Sequence, residues 1–240
     1  MVISFELIAL LLLCPVTQLN SNLLLDGSAS SYAKFPKWPS CPNSSLTFEF
    51  TTQRPNGLLL YVELQRKSSF VELKLVGGSV SLQFNYGSGA KILSVGEHLH
   101  NGRRHIVTLR LDFQTVLLSV DSVVQMHPIG DLAEQTLVGG YVYVGGLPTT
   151  LVNQIDTMAL SFVLFETRFQ GSINAVFYSQ CGSKPTGVRM LEASGLRSTS
   201  DDICEEHNPC QNGGECVSTE AGVTCDCWQT EYNGTHCEAG

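Results

Sequence analysis

Residues 65–89 (QRKSSFVELKLVGGSVSLQFNYGSG) alternate apolar and polar side chains, break at two consecutive glycines, and alternate again. Successive side chains of a strand point to opposite faces. The alternation therefore puts Val71, Leu73 and Leu75 on one face, and a two-residue turn at Gly77 and Gly78 sets them opposite Phe84, Leu82 and Val80. Glu72, Lys74, Ser81, Gln83 and Asn85 form the other, wet face, the pattern of an antiparallel sheet covered on one side. The same alternation recurs in LTFEF (46–50), IVTLRLDF (106–113), VLLSV (116–120) and YVYV (141–144), with Gly, Asn and Asp between them. No stretch carries a convincing helical period. Many short antiparallel strands over roughly 160 residues imply an all-β two-sheet sandwich or jelly roll.

Composition narrows the function classes. A chain of 240 residues with 43% hydrophobic content builds a real core, and a formal charge of −8 argues against a nucleic-acid face, which needs clustered Lys and Arg. Arg103 and Arg104, an adjacent basic pair, are read as solvated loop residues in preference to a polyanion contact. Leu7 to Leu13 (LIALLLL), ending at Cys14-Pro15, is far shorter than the roughly 20 residues of a membrane span and reads as the core of a signal peptide over 1–20. No later stretch is expected to span a membrane, so the expectation is a secreted chain or the extracellular front of a cell-surface protein.

Removing Cys14 with the signal leaves eight cysteines, six of them in the last 37 residues at 204, 210, 216, 225, 227 and 237. So short a segment cannot bury enough apolar area to fold alone, and bridges of about 2–4 kcal/mol each must supply the difference. Zinc is the weaker use of Cys225-x-Cys227 in an exported chain with an even cysteine count. The spacing C-x5-C-x5-C-x8-C-x-C-x9-C, with NPCQNGGEC at its centre, resembles an EGF-like module over 203–238. That resemblance implies the pairs Cys204–Cys216, Cys210–Cys225 and Cys227–Cys237. It also implies no calcium site in the module, because Ile203 directly precedes Cys204 and Ser218 takes the later acidic position, leaving Asp201 and Asp202 as weak ligands. Elimination then pairs Cys41 with Cys181, tying the first strand of the sandwich to its last. Gly182 to Asp202, rich in Gly, Ser and Thr, reads as a linker between a sandwich over 21–181 and the EGF-like module.

KFPKW (34–38), SLTFEFTTQRPNGLLLYV (45–62), FVELKLVGGSVSLQFNYGSG (70–89) and YVYVGGLP (141–148) resemble a laminin G domain of the neurexin type, also called an LNS domain. The order of modules and the FPKW entry are similar to the first LNS domain and first EGF-like repeat of an alpha-neurexin. The resemblance implies a jelly-roll sandwich of about fourteen antiparallel strands, used for recognition at the cell surface. Three departures from the family bear on function. Arg104-His105 stands where Trp-His is usual, so a core aromatic is expected to be missing. Ser172 replaces the cysteine of the F-x-G-C-I segment. Ser69 takes the place of the aspartate that, with main-chain carbonyls, holds calcium; the remaining aligned donors are the carbonyls of Tyr86 and a residue near Gln135. Calcium binding is therefore expected to be lost, unless Glu63 or Asp131 supplies a carboxylate from an adjacent loop.

The motifs that give chemistry a mechanism are absent: no G-x-S-x-G, H-E-x-x-H, P-loop or G-x-G-x-x-G. His98 and His100 beside Glu97 are the best remaining ligand set, read as two exposed histidines of an edge strand in preference to a zinc site; His105 and His127 are read as packed or solvated. No enzyme and no cofactor are expected. The leading class is a neurexin-like adhesion module that binds extracellular or cell-surface proteins. The other is a secreted glycan- or small-ligand-binding laminin G protein, for which the loops offer mainly Tyr32, Trp38 and Tyr86. Asn43 (Asn-Ser-Ser) and Asn233 (Asn-Gly-Thr) are expected N-glycan sites in turn-like contexts.

Overall fold

The computed structural model describes residues 23–38, 41–64, 69–87, 89–129, 139–196, 204, 208–219 and 222–240. The expected signal peptide (1–20), Asp131, Gln135, Asp201, Asp202 and Ile203 lie outside the described residues. In chain order the strands are β1 (Leu23–Asp26), β2 (Tyr32–Lys37), β3 (Ser44–Thr51), β4 (Gly57–Glu63), β5 (Phe70–Val76), β6 (Ser79–Asn85), β7 (Lys91–Val95) and β8 (His105–Leu111). They continue as β9 (Thr115–Val120), β10 (Val123–Pro128), β11 (Tyr141–Val144), β12 (Gln170–Ser179), β13 (Thr186–Gly187), β14 (Glu192–Ser194), β15 (Glu215–Thr219) and β16 (Gly222–Asp226).

Strands β5 and β6 pair Val71 with Phe84, Leu73 with Leu82 and Leu75 with Val80, the register that the alternation demands. Gly77 and Gly78 take φ of 60° and 85°, the left-handed pair a tight hairpin turn needs and glycine adopts at least cost. Around this hairpin one seven-stranded sheet runs β14-β2-β11-β4-β5-β6-β7. A second runs β1-β12-β3-β8-β9-β10, with β13 beside β12. Among the described residues every pairing of these strands is antiparallel; one isolated bridge, Leu58 to Arg168, is parallel. The inward faces of β3, β8 and β9 meet those of β4, β5 and β6 in one core that includes Phe48, Phe50, Leu73, Phe84, Leu109 and Leu118. This is the jelly-roll sandwich the sequence pattern called for.

The outer face of β5 is not wet. Two 3₁₀ turns, Thr149–Thr157 and Ser161–Phe165, lie over it and bury Leu58, Tyr61, Phe70, Leu147, Val163 and Leu164 in a second apolar cluster. Glu72, expected in solvent, is 1% exposed, and Lys74 reaches between Glu72 (3.5 Å) and Glu166 (2.5 Å). Burial pushes the Glu72 carboxyl above the usual carboxylate range, against the lowering effect of Lys74. A carboxyl whose folded pKa exceeds its unfolded value gives stability that is complete below the unfolded pKa and is lost as pH rises through the folded one. Glu72→Gln should remove this loss. Thermal melts should show Tm raised by about 2–4 °C at pH 7.5, corresponding to about 1 kcal/mol for a domain of this size, and unchanged near pH 4, where the parent carboxyl is protonated.

Four further expectations are corrected. The stretch 182–202 is not wholly a linker: β13 pairs with β12, β14 pairs with β2, Leu196 bridges to Leu25, and Val188 and Met190 pack on the main core. Strands of two and three residues are too short to show alternation, which is why the segment reads as loop. Arg104 shares the outward side of β8 with Ile106, so no core aromatic is missing; His105 is the buried ring, 5.5 Å from Phe50, with Nδ1 2.9 Å from Asp121. His98 and His100 sit in a loop, not on a strand, with ring centroids 6.3 Å apart. Finally, Tyr32, Trp38 and Tyr86 are 6%, 0% and 5% exposed, so none of them is a loop aromatic open to a ligand.

Candidate binding rim

The rim is the end of the sandwich where β4 gives way to β5 and where β6 ends. Leu64 donates its N–H to the Ser69 carbonyl (3.0 Å), holding the residues just after β4 and just before β5 together. Ser69 is fully buried and its hydroxyl has no hydrogen-bond partner among the described residues, so the group in the aspartate position faces protein, not solvent. Tyr86 packs against Phe84 with ring centroids 5.6 Å apart, and burial drives its phenol pKa upward. Asn85 shapes the turn that follows by accepting the N–H groups of Gly87 (2.8 Å) and Gly89 (3.2 Å) on its Oδ1.

Glu63, the carboxylate expected to be able to rescue a cation site, is half-buried at the end of β4. Its Oε1 accepts the Ala159 N–H at 3.1 Å, and desolvation raises its pKa more than this hydrogen bond lowers it. The side chain thus fastens the 3₁₀ layer to the sheet. Calcium takes six to eight oxygens and needs anionic ones to offset its dehydration. The described residues of this rim do not fit it: the hydroxyl is enclosed and the acid is turned to a backbone amide.

The remaining site residues fall in place as follows. Cys41 and Cys181 are bonded with Cα atoms 5.4 Å apart, closing a span of 140 residues. Cys204–Cys216, Cys210–Cys225 and Cys227–Cys237 are bonded with Cα separations of 5.7, 5.5 and 5.5 Å. Ser172, in the position of the family's cysteine, is buried, and its hydroxyl has no hydrogen-bond partner among the described residues. Asn43 has φ of 60° in the turn after Cys41, and Asn233 is exposed near the C-terminal end. Arg104 is neither free nor part of a basic patch: it lies 3.6 Å from Glu49 on β3 and 3.2 Å from Glu215 on β15, joining the two modules. No sequence signal marks that contact, because it depends on how a module more than 100 residues away is laid on the sheet.

Comparison with known proteins gives a consistent likeness. Residues 50–180 match the family model of the Laminin G domain. Neurexin 1 of Drosophila melanogaster is 37% identical over 250 residues, covering 92% of this chain and 13% of that protein. Neurexin-2 of Homo sapiens is 29% identical over 221 residues, covering 90% of this chain and 12% of that protein. The chain therefore spans a small part of the length of these relatives. Among solved structures, domains LG4-5 of the mouse laminin alpha1 chain superpose with a TM-score of 0.56 at 20% identity, over 73% of this chain and 46% of that one. At that identity the likeness speaks for the fold alone.

Proposed function

Since the chain belongs to the laminin G domain family, with neurexins as its relatives over most of its length, we propose that it is a recognition module of a neurexin-like adhesion receptor, binding protein partners at the cell surface or synapse without calcium. The likeness to laminin G domains and neurexins supports an extracellular adhesion or binding role. The observation that carries the calcium-free reading is the rim itself, with Ser69 enclosed and Glu63 committed to the Ala159 amide. A partner docking there has no metal to bridge its own carbonyls and must use shape and side-chain contacts. The three buried aromatics, Tyr32, Trp38 and Tyr86, favour this over a glycan or small-ligand pocket, which needs exposed rings with convergent polar groups. Among the described residues no helix is long and apolar enough to cross a membrane.

The test is binding of the tagged, secreted chain to intact cells bearing candidate surface proteins. Binding should be the same within twofold in 2 mM calcium and in excess chelator, and should be abolished when the cells are treated with protease. Loss of binding on chelation would overturn the calcium-free reading. Loss on glycosidase treatment, with protease-treated cells still bound, would replace the protein partner with a glycan.

A further inference from the structure

Gly102 and Arg103 of the sandwich and residues of the C-terminal module, among them Trp228, Tyr232 and Asn233, line an open cleft of about 350 Å³. That volume is at the low end of small-molecule sites, about 300–1,000 Å³. Trp228 is 82% exposed and Tyr232 41% exposed. In a module held together by disulfides, leaving the indole in water forfeits one of the largest apolar burials available to a side chain. Asn233 opens the sequon Asn233-Gly234-Thr235. Its backbone is fixed by two hydrogen bonds with Ala239, at 2.6 and 2.9 Å, while its side chain remains exposed.

We propose that this cavity is the seat of the chain's own N-glycan, with Asn233 glycosylated and its first N-acetylglucosamine laid against the indole of Trp228. The donor in the secretory lumen is an oligosaccharide on a polyisoprenyl pyrophosphate. A bond forms between Asn233 Nδ2 and the sugar C1, the C1–oxygen bond to the pyrophosphate breaks, the Nδ2 proton passes to a base of the transferase, and the pyrophosphate leaves as its anion. The product sugar has an apolar face that matches an aromatic ring. Its acetamide carbonyl and hydroxyls accept hydrogen bonds of the kind that the guanidinium of Arg103, which also lines the cleft, donates. A free monosaccharide would bind such a surface weakly. A tethered one does not lose translational freedom on docking, and an effective concentration on the order of millimolar or more populates the contact. The glycan then covers the exposed indole and fills the cleft between the modules.

Tryptophan fluorescence reads this directly. The chain has two tryptophans, and Trp38 is fully buried, so quenching by acrylamide reports Trp228 alone. The test uses the chain secreted from eukaryotic cells and carrying Asn43→Asp, which removes the other sequon while tolerating the positive φ at that position. Mass spectrometry of the C-terminal peptide should find hexosamine on Asn233. The quenching constant should rise at least twofold when peptide-N-glycosidase strips the sugar from the folded protein, and a Thr235→Ala chain should show the higher constant from the start. An unmodified Asn233 peptide would overturn the proposal, and so would a modified one whose quenching is the same before and after removal of the sugar.

Discussion

Replacing Cys41 and Cys181 together by alanine should lower the stability of the sandwich by about 5 kcal/mol. The bridge closes 140 residues, and in the chain-entropy model a loop of about 100 residues already contributes about 4.7 kcal/mol by restricting the unfolded state. For a domain of this size the drop corresponds to about 10–20 °C in Tm. The bridge also fixes the turn in which Asn43 and Cys181 both have positive φ and Gly182 donates its N–H to the Asn43 carbonyl at 2.8 Å. Without it, that corner between β3 and the end of β12 relies on Ser45 and Ser179, whose hydroxyls meet at 2.9 Å. Differential scanning calorimetry of the double variant against the parent measures the effect. A change below about 1 kcal/mol would mean that the denatured chain is already as compact without the bridge.

The strands that were legible in the sequence are those with one face in the main core and enough length to show a period. Residues 70–85 announced both their partners and their turn because Val71–Leu75 on one arm and Ser79–Asn85 on the other alternate without interruption. What lay beyond the sequence was the second layer. The fold of 149–165 into two 3₁₀ turns has no four-residue stripe to signal it, and its presence changes Glu72 from a solvated acid into a buried one. The rim was half legible. The absence of an acid at Ser69 could be read from the residue alone, whereas the direction in which Glu63 turns follows from where the Ala159 amide is brought, a contact 96 residues away in sequence. Aromatic residues misled in the same way: Trp38 and Tyr86 stand beside turns in the sequence but pack in the main core, and Tyr32 is covered with its hydroxyl bonded to Glu192, while the most exposed indole belongs to the small module, which has little interior to hold it.

Gly140→Ala should cost about 2–4 kcal/mol and disturb the rim at the same time. Gly140 lies just before β11, which pairs with β4 through Val142 opposite Val62, and its carbonyl accepts the Trp38 N–H at 3.1 Å. A Cβ on it would stand 1.7 Å from the Glu63 carbonyl oxygen and 2.8 Å from the carbonyl carbon. Both are backbone atoms of a paired strand, so no side chain can move aside to make room. Either β11 lifts from β4 at this end or the end of β4 shifts, and each choice pulls on a group the rim depends on: the Trp38 hydrogen bond in the first case, the Glu63 contact with Ala159 in the second. The backbone angle is not at issue, since Gly140 is not among the glycines with positive φ; the cost is overpacking against main chain, at or above the usual 1–3 kcal/mol for overpacked sites because the neighbour is backbone. Gly187→Ala is the control. Its nearest neighbour would be the Phe177 ring at 3.5 Å, an ordinary contact, and its effect should stay within about 0.5 kcal/mol. Chemical denaturation of the two variants separates them, and cell binding well below the denaturation midpoint extends the comparison to function. Gly140→Ala should lose binding while still folded and Gly187→Ala should bind as the parent does; equal binding by all three would place the partner surface elsewhere on the sandwich.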